Sequence, residues 1–525
     1  MMKVRERAAP IIKTKYGRLH PFQKELIEAI LDPKIGLVKV EAPVGIGKTT
    51  AIRKALDYCD TPIIATFPTT ILVNAQSANI SSGTDSYYWP YDTKTTDRSY
   101  EIFITEYSSQ SLLYLAMKNY HEIKGLSRGD ILSRLFSQAP FIGGKSIILT
   151  TPDVLWLLYS GKYRRSRRLQ EHLSNAVVIF DEFHCYANLA NFYKLLNRLG
   201  EGRVSKVILM SATPFMRDDI VVEFPGDHLQ ISFSESGIYG EEMRVFNHEL
   251  DMEIIEENYR DTSNLINILK GTLKQLPRPA AVIFDSIFRL MQVELLLKEE
   301  FPGLRFHRYD GMVKERVNLS YDSVLLGTSS VEVGVNMDFL SLIFEGSNWT
   351  SAIQRLGRVG RLRPGKALLI SDRNFRPYRP RGRDIARDEL EGILREYLPD
   401  PRNDWTSGEL FRGDMPNFLL VDSYGTCYIY GPGIFSMFEV LEYEQQMPED
   451  TESLVKLLRD FGVEDNKIEE IKMRVTLFPV AGIVRGKGFR SRYERIVSVD
   501  ERKDEWVIRL ANGEYFYFYR GENDD

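Results

Sequence analysis

Ala42-Pro-Val-Gly-Ile-Gly-Lys-Thr49 constrains this chain more than any other stretch. It follows a β-branched run at 37–40 and precedes a helical pattern over 50–58, so it reads as the loop of a strand–loop–helix unit. Gly45 and Gly47 let the backbone turn sharply and bring the amides around Ile46 close to phosphate oxygens. Lys48 adds a point charge for the β- and γ-phosphates, and Thr49, with Thr50 behind it, offers a hydroxyl to Mg²⁺. The usual pattern is Gly-x-x-x-x-Gly-Lys-Thr, and here Ala42 stands in place of its first glycine.

The same strand–loop–helix rhythm runs through most of the first 370 residues. Strand candidates are 37–40, 62–65, 146–149, 176–180 and 206–210. After a polar break past Pro214 a second series opens with a helical pattern at 262–275 and continues with strands at 280–284, 323–326, 342–344 and 367–370. Runs that are apolar throughout suit strands buried on both faces, and their alternation with helices predicts parallel sheets covered by helices on both sides. The expected fold class is α/β: a first domain at 1–215 with an insertion at about 77–144, a linker at 216–245, and a second domain at 246–372. Residues 373–470 read as a Pro/Arg-rich arm followed by a mixed accessory region. Residues 471–525 read as a small β-rich module, a candidate barrel, with strand patterns at 474–484, 494–499, 505–510 and 514–519.

Composition excludes several classes. With 43% hydrophobic and 27% charged residues, the chain reads as ordinary globular protein of roughly three or four domains. No apolar run approaches the ~20 residues that span a bilayer, and Met-Met-Lys-Val-Arg-Glu-Arg lacks the apolar core of a signal peptide. The expected compartment is the cytoplasm, with no membrane partner. Cys59, Cys185 and Cys427 lie far apart, which argues against a disulfide framework or a zinc ribbon. A net charge of −5 argues against coating nucleic acid by bulk positive charge, but a track of backbone amides, hydroxyls and local arginines needs no basic average.

Three further constellations carry chemistry. Asp181-Glu-Phe-His184 ends the apolar run at 177–180. Asp181 there can hold the magnesium of a phosphate-loop nucleotide, and Glu182 can orient the attacking water. Ser211-Ala-Thr213 ends the next run and gains meaning as a coupling element, together with His184, from its position after the acidic pair. Gln354-Arg-Leu-Gly-Arg-Val-Gly-Arg361 interleaves arginines with glycines, which suits guanidiniums converging on a phosphate; Gln354, Arg358 and Arg361 are its catalytic candidates.

In this order the elements resemble the superfamily-two DExH helicases over roughly residues 18–370. The resemblance implies two tandem RecA-like domains with ATP bound between them, and it assigns further residues. Phe22 and Gln23, in Arg18-Leu-His-Pro-Phe-Gln23, would sit near the adenine. Pro68-Thr69-Thr70 and Thr150-Thr151-Pro152-Asp153 resemble first-domain loops that touch a nucleic-acid backbone, with Ser286 and the segment Gly327-Thr328-Ser329-Ser330 as second-domain counterparts. Glu332-Val-Gly334-Val-Asn-Met-Asp338 resembles the element linking nucleic acid to ATP, with Gly334 and Asp338 toward the nucleotide.

Within that superfamily, Phe180-Asp-Glu-Phe-His-Cys-Tyr186 and Val333-Gly-Val-Asn-Met-Asp-Phe339 look most like the helicase core of type I CRISPR interference. That family usually carries a fused HD nuclease. None of the seven histidines here is followed by Asp, and only ~20 residues precede the core. The chain therefore resembles a separate helicase subunit that works on single-stranded DNA, 3′-to-5′, beside an HD nuclease on another polypeptide and a Cascade-type surveillance complex. It departs from the family at Gly360, where many members place a histidine.

Other readings stay open at this level. One is an RNA or general repair helicase, and another is an ATP-gated clamp or scaffold that does not translocate. The aromatic segment Tyr87-Tyr-Trp-Pro-Tyr91 reads as core or lid packing, with base stacking as the alternative. The arginine-rich arm at 376–383 reads as a solvated linker or a contact for DNA or a partner. Cys185 reads as a packed thiol.

Overall fold

The computed structural model of the chain describes residues 2–82, 85–92, 100–108, 145–161, 173–216, 222–233, 242–310, 322–334, 337–375, 384–401, 417–421, 427–430, 438–444, 450–477, 480–489, 496–501, 505–510 and 515–519, with a few isolated positions between them. Two eight-stranded sheets organise them. The first runs in the order Asp227–Ser232, Ile35–Glu41, Lys206–Ser211, Val177–Asp181, Ile63–Thr66, Ser146–Thr150, Ile102–Tyr107, Ser86–Trp89. Every pairing in it is parallel. The second runs Arg305–Tyr309, Ser323–Gly327, Ala280–Ile283, Ser341–Glu345, Gly365–Ser371, Leu250–Glu256, Met2–Val4, Asp384–Ile385, and is parallel except where Met2–Val4 meets Leu250–Glu256. Two tandem parallel-sheet α/β domains are thus the architecture, as the rhythm of apolar runs predicts.

The apolar runs become central strands because both faces are covered. Successive residues point to opposite sides. Val178 and Phe180 join Ile64, Ile148 and Val207 in one core, while Val177 and Ile179 join Ile63, Ile147 and Ile208 in the other. The second sheet divides likewise, with Ala281, Ile283, Leu325 and Phe344 on one face and Val282, Val324, Leu326 and Ile343 on the other.

The structure departs from the sequence reading at the edges. Met2–Val4 lies in the second sheet although it opens the chain, and Asp227–Ser232, within the expected linker, pairs with Ile35–Glu41 of the first. The aromatic insertion supplies two more strands of the first sheet, Ser86–Trp89 and Ile102–Tyr107. Tyr87 and Trp89 are buried, and the half-buried Tyr88 and Tyr91, with Ser108, donate to the buried Glu106 carboxylate, so this segment packs into the sheet. Most of the rest of the insertion, and the arginine-rich arm at 376–383, lie outside the described residues.

Toward the C-terminus, Arg474 to Leu477 close the helix Asp465–Leu477, so the expected strand at 474–484 begins only at Val480. Val480–Phe489 joins a four-stranded sheet with Cys427–Tyr430, Asn417–Val421 and Phe438–Glu444. Ile496–Glu501, Glu505–Leu510 and Tyr515–Tyr519 form a three-stranded antiparallel sheet of their own. The described residues give two small sheets and no closed barrel. Among them, no helix is long and apolar enough to cross a membrane.

Candidate active site

The phosphate loop springs from the strand Ile35–Glu41 and ends in the helix Lys48–Ala55. Its first residue is pinned, since the Ala42 amide donates to the Ser211 carbonyl at 3.1 Å, and Ala42 is fully buried. Gly47 caps the helix at φ 91°, a left-handed conformation, and a Cβ there would run into the Gln23 amide. Gln23 accepts from the His20 amide at 3.0 Å and donates to the Gly47 carbonyl at 3.1 Å, so the upstream element braces the loop directly. Phe22 does not share that role: it is packed in the core with Leu26 and Ile52. Ile46 is likewise buried, while Thr50 is exposed.

Opposite the loop, Asp181 ends its strand and Glu182 turns the chain at φ 51°, ψ 42°. A left-handed glutamate is an uncommon, strained conformation of the kind held at functional sites by their surroundings. Here the surroundings are explicit. Lys48 Nζ donates to the Ala42 carbonyl at 3.2 Å and lies 3.8 Å from Glu182 Oε1. His184 Nδ1 is 3.4 Å from Glu182 Oε2 and 2.8 Å from Ser211 Oγ, which accepts from the Thr213 amide at 3.0 Å. Gln354 Nε2, from the second domain, donates to Glu182 Oε2 at 3.3 Å and to Thr213 Oγ1 at 3.4 Å.

The two adjacent carboxylates are driven apart in acidity. Burial, then the neighbouring Glu182 charge, pushes Asp181 up to about 7, with Lys48 pulling the other way. Burial acts upward on Glu182 too, but Lys48, His184, Arg358 and the Gln354 amide together outweigh it and hold Glu182 below the ordinary carboxylate range. Burial also lowers His184, against the pull of Glu182.

The arginine segment divides its labour. Arg358 is near enough for its charge to act on Glu182. The Arg361 amide donates to Asp338 Oδ1 at 3.2 Å, and Arg363 pairs with the same carboxylate at 3.6 Å, so Asp338 fastens the finger turn. Gly360 sits in that turn at φ 70°, where a Cβ would meet the His248 carbonyl at 3.3 Å. Arg355 is wholly buried, donating to the Glu345 carbonyl and to Asp285 at 2.7 Å. Arg289 pairs with Glu345, which burial and then Asp285 push up to about 7 against the pull of Arg289. This cluster, with Glu345 and Arg355 buried and Asp285 and Arg289 at its edge, supports the finger helix Trp349–Leu356 and had no signature in the sequence, because its members are 4 to 70 positions apart with no repeating spacing.

The nucleic-acid candidates fall at carboxyl ends of parallel strands, each beside a helix N-terminus, which offers free amides to phosphates. Thr69 caps Thr70–Ser81, accepting from the Leu72 amide at 3.3 Å, and the Pro68 carbonyl accepts from Tyr186 at 3.0 Å. Thr151 caps Pro152–Tyr159, with Asp153 in its first turn, and its strand pairs with the one leading to Thr69. Ser286 caps Ile287–Glu300, and Thr328 and Ser329 open the short helix Ser329–Gly334 from the adjoining strand. Cys185 is exposed, 3.5 Å from His184 Nε2, and so is not the packed thiol expected. Lys206, unremarkable in sequence, is buried and donates to the carbonyls of Ala29, Ile30 and Asp32, capping the end of the helix Pro21–Leu31.

A phosphate loop and an acidic pair meet Gln354 and Arg358 of the second parallel-sheet domain, the arrangement of a nucleotide site built between two domains. Residues 20–220 match the family model described as DEAD/DEAH box helicase. The chain is similar to the CRISPR-associated nuclease/helicase Cas3 of Methanothermobacter thermautotrophicus, at 25% identity over 271 residues, 47% of this chain. The match spans 31% of that relative's length. Among solved structures, the DUF1998 helicase MrfA bound to DNA is 12% identical, with a TM-score of 0.48 over 99% of this chain and 82% of that one. Cas3 of T. fusca with ATP is 14% identical, with a TM-score of 0.47 over 88% and 67%.

Proposed function

We propose that the chain is an ATP-driven motor that moves 3′-to-5′ on single-stranded DNA and opens target DNA for a separate HD nuclease in type I CRISPR defence, in the cytoplasm beside a Cascade-type surveillance complex. The observation that carries the motor reading is Gln354, a second-domain side chain that donates at once to Glu182 and Thr213 of the first. One side chain thereby joins the water-orienting carboxylate to the Ser211–Thr213 coupling element across the cleft.

The loop amides and Lys48 hold the phosphates, and Lys48 exchanges its bond to the Ala42 carbonyl for them. Asp181 and the Thr49 hydroxyl are the hard oxygen donors that a magnesium ion bound with the nucleotide would take. Such an ion, bound with the nucleotide, neutralises charge on the β- and γ-phosphates. Glu182, held ionised, accepts from the attacking water and orients it. Arg358 and Arg361 stabilise charge on the transferring group from the opposite domain, an effect typically of ~10³–10⁵ in rate. His184, Ser211 and Thr213 pass the cleft's state to Thr69 and Thr151, and the second-domain strand ends carry Ser286 and Thr328, so opening and closing alternates the two grips on one strand.

The match to a CRISPR-associated nuclease/helicase supports the CRISPR setting. Strand displacement from a fluorescent 3′-tailed DNA duplex tests the proposal. ATP-dependent displacement is expected. No displacement with a purified HD nuclease present or absent would sink the motor, and turnover that stays flat as the strand lengthens would point to a clamp.

A further inference from the structure

The helix Arg387–Tyr397 lies beyond the last strand of the second series and outside every motif described above. Its apolar side, Leu390 and Leu394, is packed into the same core as Ile353 and Leu356 of the finger helix, so it moves with the second domain. Arg395 projects from it in two directions. Its guanidinium lies 4.8 Å from the ring centre of Trp349, the first residue of the finger helix. It also pairs at 3.3 Å with Glu41, the last residue of the strand that feeds the phosphate loop. Trp349 in turn meets Phe215, just past Thr213, with ring centres 6.4 Å apart. A second crossing follows at the helix end, where Asn188 donates to the Pro401 carbonyl at 2.8 Å.

We propose that Arg395 is a positioning residue for closure of the ATP cleft, tying the root of the phosphate loop, through Glu41, to the root of the arginine fingers, through Trp349. This rests on the ATP-hydrolysing reading above. Arg395 touches neither the phosphate loop's Gly45–Thr49 segment nor Asp181 or Glu182 in any contact described, so it acts through the distance between the two roots. The ion pair holds only while the domains are together, because Glu41 belongs to the first sheet; Trp349 lies in the second domain with Arg395 and orients its guanidinium toward Glu41. A partly exposed ion pair is modest, and the bias it gives toward the closed state is about two- to fivefold. Arginine suits the post because its planar guanidinium stacks on an indole and pairs with a carboxylate at the same time.

The test uses the full chain, ATP and a single-stranded DNA oligonucleotide. Arg395→Glu places like charges across the cleft and should lower kcat about tenfold, while affinity for an ATP analogue, set by the open loop, changes less than about twofold. Glu41→Lys in the Arg395→Glu background restores an ion pair of reversed sense and should recover kcat to within about threefold of wild type. A merely structural arginine would lower the melting temperature and the active fraction without rescue. Unchanged kcat in Arg395→Glu, or a loss that Glu41→Lys fails to recover, overturns the proposal. Absence of ATP hydrolysis in the wild type would instead strike the reading on which it rests.

Discussion

Asp181→Asn should stabilise the protein and silence it at the same time. Asp181 sits 7% exposed at a strand end beside a second carboxylate, and burial followed by that repulsion pushes it up to about 7 from an ordinary 3.8. Three units at 1.36 kcal/mol each set a ceiling of about 4 kcal/mol on the cost of ionising it in the folded state. The sign follows from linkage: a carboxylate raised on folding binds more protons in the folded than in the unfolded chain between the two values, so its cost is absent below about pH 4, grows up to about pH 7 and is level above. Asparagine removes that charge while keeping an oxygen for the Glu182 amide, which donates to Asp181 Oδ1 at 3.1 Å. Lys48 loses one attractive partner, so we expect a net gain of about 1–3 kcal/mol at pH 8. Differential scanning calorimetry at pH 5 and pH 8, read on the first domain's transition, measures it. Higher stability of Asp181→Asn at pH 8, a smaller difference at pH 5 and no ATP turnover are predicted. A melting temperature at pH 8 equal to or below wild type, or a difference that ignores pH, would show that Asp181 is not held at a cost.

Two further substitutions probe the frame around the site. Lys206→Met removes the cap of the helix Pro21–Leu31 and leaves the Ala29, Ile30 and Asp32 carbonyls without their donor, which should cost about 1–3 kcal/mol in urea unfolding while leaving ATP affinity near wild type. Gln354→Ala removes the donor shared by Glu182 and Thr213; ATP turnover should fall about tenfold or more with ATP affinity little changed, as measured by single-turnover hydrolysis beside equilibrium binding.

The central strands were legible because each is apolar on both faces. Val177–Asp181 and Ile63–Thr66 carry a signal that survives without any partner in view. Edge strands lack it: Asp227–Ser232 is mostly exposed, and its residues resemble a linker until Ile35–Glu41 is beside it. Met2–Val4 is too short to show a pattern, and its partner lies some 250 positions away. At the site, Lys48, Asp181, Glu182 and Gln354 could be named from the order of motifs, and the structure brings them into one cluster. Phe22 could not be separated from a nucleotide platform, since an aromatic beside a functional glutamine looks the same whether it faces solvent or core. Gly360 breaks the family pattern in a turn at φ 70° where glycine is unstrained, a fact that only the backbone reveals. Arg355 has no assigned role in the sequence reading, and its burial with Asp285 as partner makes it a strut.

The central claim is that one ATP site is built from both domains and driven by a single nucleic-acid strand. Steady-state ATP hydrolysis by the wild type and by Lys48→Ala, with and without single-stranded DNA, tests it most directly. Wild-type turnover that rises with DNA, and a folded Lys48→Ala variant with none, is the predicted result; hydrolysis retained in Lys48→Ala would contradict it.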